Sequence, residues 1–224
     1  MSSTPKIALI SAVPAAIPAA RAALRDTLPD AVVWNILDDR LLVDAVSHGG
    51  LDSDLRHRMQ RLIGHALAED VDAVLLTCSV YAPVAQGTDA GVPVMAPDEA
   101  AFADIAAAGY ASVLVLASVD TACDDSVERL QTALHDAGAD SRVVGLSVPA
   151  ALAAATAGDQ DALVAAFADA CVNLPDDVEA IFLAQYSLAS AGDALQEAVG
   201  IPVVSGPKSA AAALLRLMSE RNGR

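Results

Sequence analysis

Short apolar runs of four to seven residues alternate along the chain with longer Ala-rich segments whose apolar positions recur at helical spacing. The runs at residues 7–11, 32–37, 73–77, 92–95, 112–116, 141–146, 180–184 and 201–204 predict strands. The segments at 15–27, 52–69, 98–107, 121–137, 159–172, 188–199 and 207–221 predict helices, with a short one at 81–86. Pro and Gly punctuate the joins, as at Gly91-Val92-Pro93 and Gly200-Ile201-Pro202. Strands that read as unbroken apolar runs, alternating with helices, imply parallel sheets covered on both faces.

The chain also resembles itself. The stretch from Val71 to Ser79 shares its hydrophobic pattern with the stretch from Val178 to Tyr186, which sets Cys78 opposite Gln185, 107 residues later. Gly91-Val92-Pro93-Val94 returns as Gly200-Ile201-Pro202-Val203, and Ile7-Ala8-Leu9-Ile10 as Val113-Leu114-Val115-Leu116. The predicted architecture is therefore α/β, with two pseudo-symmetric Rossmann-like lobes, each a roughly four-stranded parallel sheet flanked by helices. Residues 1–97 with 206–224 form the first lobe and 98–205 the second, and the final helix packs back on the first. Ligands of open α/β sheets bind outside the carboxyl ends of the strands. The residues to watch are thus Ser11, Cys78, Thr121, Gln185 and Ser205, in an expected cleft between the lobes.

Composition narrows the function classes. Of 224 residues, 54% are hydrophobic but only 3% aromatic, which suits tight helix-on-strand packing more than an aromatic-rich β-sandwich. The net charge of −16 disfavours nucleic acid and anionic membrane surfaces as partners. No apolar run approaches the roughly 20 residues of a membrane span, and the start of the chain reads as a first strand, not a signal peptide. Three widely separated cysteines, Cys78, Cys123 and Cys171, suggest unbridged thiols in a reducing, cytoplasmic setting.

The chemistry concentrates at Thr77-Cys78-Ser79, between the third strand and the short helix. Unpaired N–H groups and the helix dipole there favour an anion, and the same setting lowers a thiol pKa, suiting Cys78 to act as base or nucleophile. Thr77 and Ser79 add hydroxyl donors for a carboxylate. The three residues equally fit a structural role, a small buried cysteine beside hydroxyls that cap a helix. In the second lobe Thr121 or Asp120 is a candidate N-cap, and Thr121 a candidate carboxylate ligand. Cys123 is a lesser catalytic candidate, and Cys171 reads as core. His48, His57, His65 and His135 show no metal-ligand spacing, and His57 and His65 read as solvated. Asp38-Asp39-Arg40 reads as a salt-bridged turn. No phosphate-cradling glycine loop, GxSxG elbow or HExxH is present.

Four stretches carry a resemblance: Trp34-Asn35-Ile36-Leu37-Asp38-Asp39, Leu76-Thr77-Cys78-Ser79, Val115-Leu116-Ala117-Ser118 with Thr121, and Phe182-Leu183-Ala184-Gln185-Tyr186-Ser187. In their duplicated layout they resemble the aspartate/glutamate racemase superfamily, which includes hydantoin racemases, maleate isomerases and arylmalonate decarboxylases. The likeness covers nearly the whole chain. It implies an enzyme without cofactor or metal, acting on a small carboxylate or carbonyl compound and assembled as a homodimer or higher homo-oligomer. Racemases of the superfamily use two facing cysteines; the first maps onto Cys78, and the second falls on Gln185. A primary amide does not exchange a proton near neutral pH, so two-base racemisation lacks its second base and isomerase or lyase chemistry on Cys78 is expected instead. Superfamily decarboxylases keep their single cysteine in the second lobe, the reverse of this chain. The resemblance also implies that Ser11, Thr77, Ser79, Thr121, Gln185, Tyr186 and Ser187 bind substrate, with Tyr81 or Tyr186 as a candidate acid. The alternative is a non-catalytic carboxylate-binding or regulatory protein built on the same scaffold.

Overall fold

A computed structural model describes residues 4–172, 174–175 and 177–222; residues 1–3, 173, 176, 223 and 224, which the expected lobes include, lie outside them. The chain divides into two compact units, Met1–Glu99 with Ala210–Arg224, and Ala100–Ser209.

In the first unit, runs lacking polar alternation become strands buried on both faces. β1 (Lys6–Ser11) is buried after its first residue and β3 (Ala73–Leu76) throughout. They are the middle strands of a parallel sheet ordered β2-β1-β3-β4, with β2 (Val32–Leu37) and β4 (Val94–Met95) at its edges. Its helices are α1 (Ile17–Thr27), α2 (Leu41–His48), α3 (Ser53–Leu67) and α4 (Ala82–Gln86). Ile10, Leu41, Met59, Ile63, Leu76 and Tyr81 share one core cluster, and each such aliphatic side chain taken from water contributes about 1.5–3 kcal/mol.

The second unit repeats the plan. α5 (Glu99–Ala108), which begins in the first unit, leads to β5 (Ser112–Ala117), α6 (Asp120–Asp136), β6 (Arg142–Ser147), α7 (Pro149–Ala157), α8 (Gln160–Cys171), β7 (Ala180–Leu183), α9 (Gly192–Val199) and β8 (Val203–Ser205), in a parallel sheet ordered β6-β5-β7-β8. α10 (Gly206–Asn222) returns the chain to the first unit, where Ala210, Ala211, Leu214 and Met218 are buried and the Arg221 guanidinium donates to the Asp72 carbonyl at 3.2 Å.

The equivalence extends to single hydrogen bonds at the strand ends. Thr77 N–H donates to Ile10 C=O at 3.1 Å, and Ala184 N–H to Leu116 C=O at 3.0 Å. Asp38 N–H donates to Ser11 C=O at 3.0 Å, and Val148 N–H to Ala117 C=O at 2.8 Å. Thr77 therefore corresponds to Ala184, Ser11 to Ala117, and Cys78 to Gln185.

Three local expectations change. α2 and α7 are helices that hydrophobic spacing does not predict, because one is short and the other is almost uniformly alanine. Their end signals were nevertheless present: Gly49 and Gly158 follow them at φ 75 and 69, a conformation suited to glycine, and Pro149 opens α7. At α6 the N-cap is Val119, with no side-chain capping bond, and not Thr121 or Asp120. His65 lies on the exposed face of α3, yet its ring packs edge-on against Trp34, centroids 5.3 Å apart.

Candidate functional site

β3 ends at Leu76 because Thr77 and Cys78 lead into a 3-10 turn, Ser79–Tyr81, followed by α4. Cys78 is the N-cap of that turn, in extended conformation (φ −127, ψ 118), and its side chain makes no capping bond. The thiol side chain is half-buried, and Ser79, also half-buried, follows it.

Behind Cys78 runs a polar chain inside the sheet. The Thr77 hydroxyl donates to Ser11 Oγ at 3.1 Å, and Ser11 Oγ donates to Asn35 Oδ1 at 3.0 Å. Thr77 is 5% exposed and Ser11 not at all. Ser11, expected to touch substrate, is fully buried and bonded to both Thr77 and Asn35. Asn35 is not among the expected site residues; its signal in the sequence is a lone amide in the apolar run 32–37. The three equivalents in the second unit, Ala117, Ala184 and Gly145, carry no polar side chain, so the chain is peculiar to the Cys78 side.

Tyr81 is fully buried, and its hydroxyl donates to the Leu41 carbonyl at 2.8 Å. Burial, then the neighbouring Cys78 sulfur, pushes its pKa up to about 12. A phenol so placed tethers the start of α2 and is unsuited to give up a proton at neutral pH.

Arg58 on α3 forms a two-pronged bond with Asp38, from Nε at 2.6 Å and Nη2 at 2.7 Å, while its Nη1 reaches Asp44 at 2.9 Å. Arg40 closes on Asp44 at 2.6 Å. The turn expected to be salt-bridged thus is so, but through an arginine twenty residues away. Burial opposes the charge on Arg58, and the bonds to Asp38 and Asp44 outweigh it and raise its pKa.

In the second unit Gln185 follows β7 as Cys78 follows β3. It caps the 3-10 turn Tyr186–Ala191 with nearly the same backbone, φ −129 and ψ 136. Its Oε1 accepts from Ser118 N–H and from Ser118 Oγ, both at 2.8 Å. Tyr186 is buried at 4% exposure, and Ser187 is half-buried. Thr121 lies exposed on the first turn of α6 and is not drawn into the Ser118–Gln185 contact. Ser118 is not among the expected site residues; its signal in the sequence is its place directly after β5.

The remaining cysteines belong to the cores. Cys123 is 4% exposed, its Sγ lies 3.9 Å from the Val115 carbonyl, and burial, then the charges of Asp124 and Asp120, raises its pKa. Burial likewise raises the pKa of Cys171. A groove lined by Arg21, Arg25, Pro29, Ala31 and Val33 sits at the amino-terminal end of β2, away from Cys78. Among the described residues no group of three or more His, Cys, Asp or Glu could hold a metal ion, and no helix is long and apolar enough to cross a membrane.

No protein-family model matches the chain, and no curated protein matches it. Solved structures do. An aspartate racemase from Picrophilus torridus superposes with a TM-score of 0.74 at 13% identity, over 96% of this chain and 94% of that one. A glutamate racemase isoform from Bacillus anthracis gives 0.70 at 13% identity, covering 98% of this chain and 84% of the other. An allantoin racemase from Klebsiella pneumoniae gives 0.66 at 17%, over 97% and 89%. The fold is that of the aspartate, glutamate and allantoin racemases. Within the racemase fold, the two equivalent strand ends of this chain carry a thiol and an amide.

Proposed function

We propose that this chain is a cofactor-independent enzyme of racemase-superfamily type, acting on a small carboxylate or carbonyl compound with Cys78 as acid, base or nucleophile. One observation carries the reading: Cys78 stands half-buried at the carboxyl end of a central parallel strand, capping a turn with its backbone and not its side chain. Open α/β sheets bind ligands at such strand ends. The solved structures of like fold are named for racemases of aspartate, glutamate and allantoin, small molecules whose reacting carbon lies beside a carbonyl or carboxylate group. Thr77 and Ser79 flank the sulfur, and hydroxyl or N–H donors aimed at an enolate-like oxygen supply about 3–4 kcal/mol each in well-formed sites. With Gln185 in place of a second thiol, isomerase or lyase chemistry on a single sulfur is favoured over two-base racemisation. Assembly as a homodimer or higher homo-oligomer and a cytoplasmic setting belong to the same proposal.

The test is proton exchange. A panel of small α-substituted carboxylates and cyclic ureides, incubated with protein in deuterium oxide, is followed by NMR for label entering the α-carbon and for new products. Wild type is expected to turn over at least one class, and Cys78→Ala none, with unchanged circular dichroism. Undiminished turnover by Cys78→Ala overturns the proposal. Carboxylate binding without turnover in wild type would favour the non-catalytic alternative.

A further inference from the structure

The Gln185 amide is held in one orientation. Its Oε1 accepts two bonds at 2.8 Å from Ser118, one from the backbone N–H and one from the hydroxyl. A backbone N–H only donates, so the amide atom facing it is oxygen; the flipped amide would set N–H against N–H. The nitrogen therefore points away from Ser118, and Nε2 has no hydrogen-bond partner among the described residues. Ser112 Oγ is the only side-chain nitrogen or oxygen among them that is fully buried and unpartnered, so Nε2 is not sealed in the core. The clamp is not a general feature of the duplicated scaffold. The residue after β1 is Ala12, which offers no hydroxyl where Ser118 does.

We infer that Gln185 selects substrates presenting an oxygen acceptor to the carboxyl end of β7, and that Ser118 is a positioning residue that fixes which end of the amide faces outward. This rests on the small carboxylate or carbonyl reading above and adds which substrate atom this strand end takes: a carboxylate or carbonyl oxygen, held by a neutral donor without proton transfer. In a chain of net charge −16 a neutral donor receives an anion that one more carboxylate would repel.

Malonate is the probe, titrated by calorimetry into wild type and Gln185→Glu. That variant keeps an oxygen for Ser118 and exchanges Nε2 for a second oxygen, and its thermal midpoint checks the fold. Affinity at least tenfold weaker in Gln185→Glu is expected. The Gln185 side-chain NH2 signals in 1H–15N spectra of wild type are expected to shift as malonate saturates, a readout independent of how any variant folds. Equal affinities, or amide signals that stay in place while malonate binds, overturn the inference and leave the carboxylate reading standing. If malonate, pyruvate and hydantoin all fail to bind wild type, both fall together.

Discussion

Cys78 and Gln185 hold the same station in two copies of one structural element. Each follows the strand beside the first strand of its sheet, each caps a 3-10 turn, and their backbone angles agree within about 20° (φ −127 and −129, ψ 118 and 136). The backbone is alike at the two places, while the side chains differ: a sulfur on one side and a clamped amide on the other.

The cysteines should differ sharply toward iodoacetamide. Cys78 is half-buried at a strand end, whereas Cys123 is 4% exposed with its pKa raised by burial. Mass spectrometry of the native protein at pH 8 is expected to find Cys78 labelled first and Cys123 labelled only after denaturation. Native labelling of Cys123 ahead of Cys78 would contradict the burial described above.

Tyr81→Phe removes the hydroxyl that donates to the buried Leu41 carbonyl at 2.8 Å. A loss of about 0.5–1.5 kcal/mol in urea unfolding is expected, the net contribution of one hydrogen bond, because the Leu41 carbonyl keeps its bond within α2. In the wild type, the Tyr81 phenol should not ionise in an absorbance titration until about pH 12.

Gly145 in β6 leaves room for Cys123 and Val127: a Cβ there would lie 2.7 Å from Cys123 Sγ and 2.9 Å from Val127 Cγ2. Gly145→Ala is expected to cost about 1–3 kcal/mol by overpacking. Combining it with Cys123→Ala, which removes the nearer atom, should cost less than the two single changes added together.

Acid should weaken the first unit. The bond to Arg40 holds Asp44 below the usual carboxylate range, and the Leu55 N–H does the same for Asp52, the N-cap of α3. Because these folded pKa values lie below the ordinary 3.8, the folded state binds fewer protons there. The stabilisation is present above that pH and is lost as pH falls below it. Asp52→Asn keeps a capping oxygen but cannot titrate. Its unfolding midpoint is expected to stay near wild type at pH 7 and to fall less steeply in acid.

Periodicity and repetition were enough to specify the duplicated α/β plan. A parallel strand covered on both faces must be apolar without interruption, and that leaves a one-dimensional trace at 7–11, 73–77, 112–116 and 180–184. The same alignment paired Cys78 with Gln185, because equivalent strands end at equivalent residues. Tertiary structure alone decided what those two residues stand among. Thr77 bonds Ser11 across 66 residues, Ser11 bonds Asn35 across 24, and Ser118 bonds Gln185 across 67. Such contacts follow from strand order and register, which set distant backbones side by side, and no local pattern records them. Arg58 shows the same limit: its helical spacing marks an exposed face, and only the folded approach of α3 to the end of β2 made it the partner of Asp38.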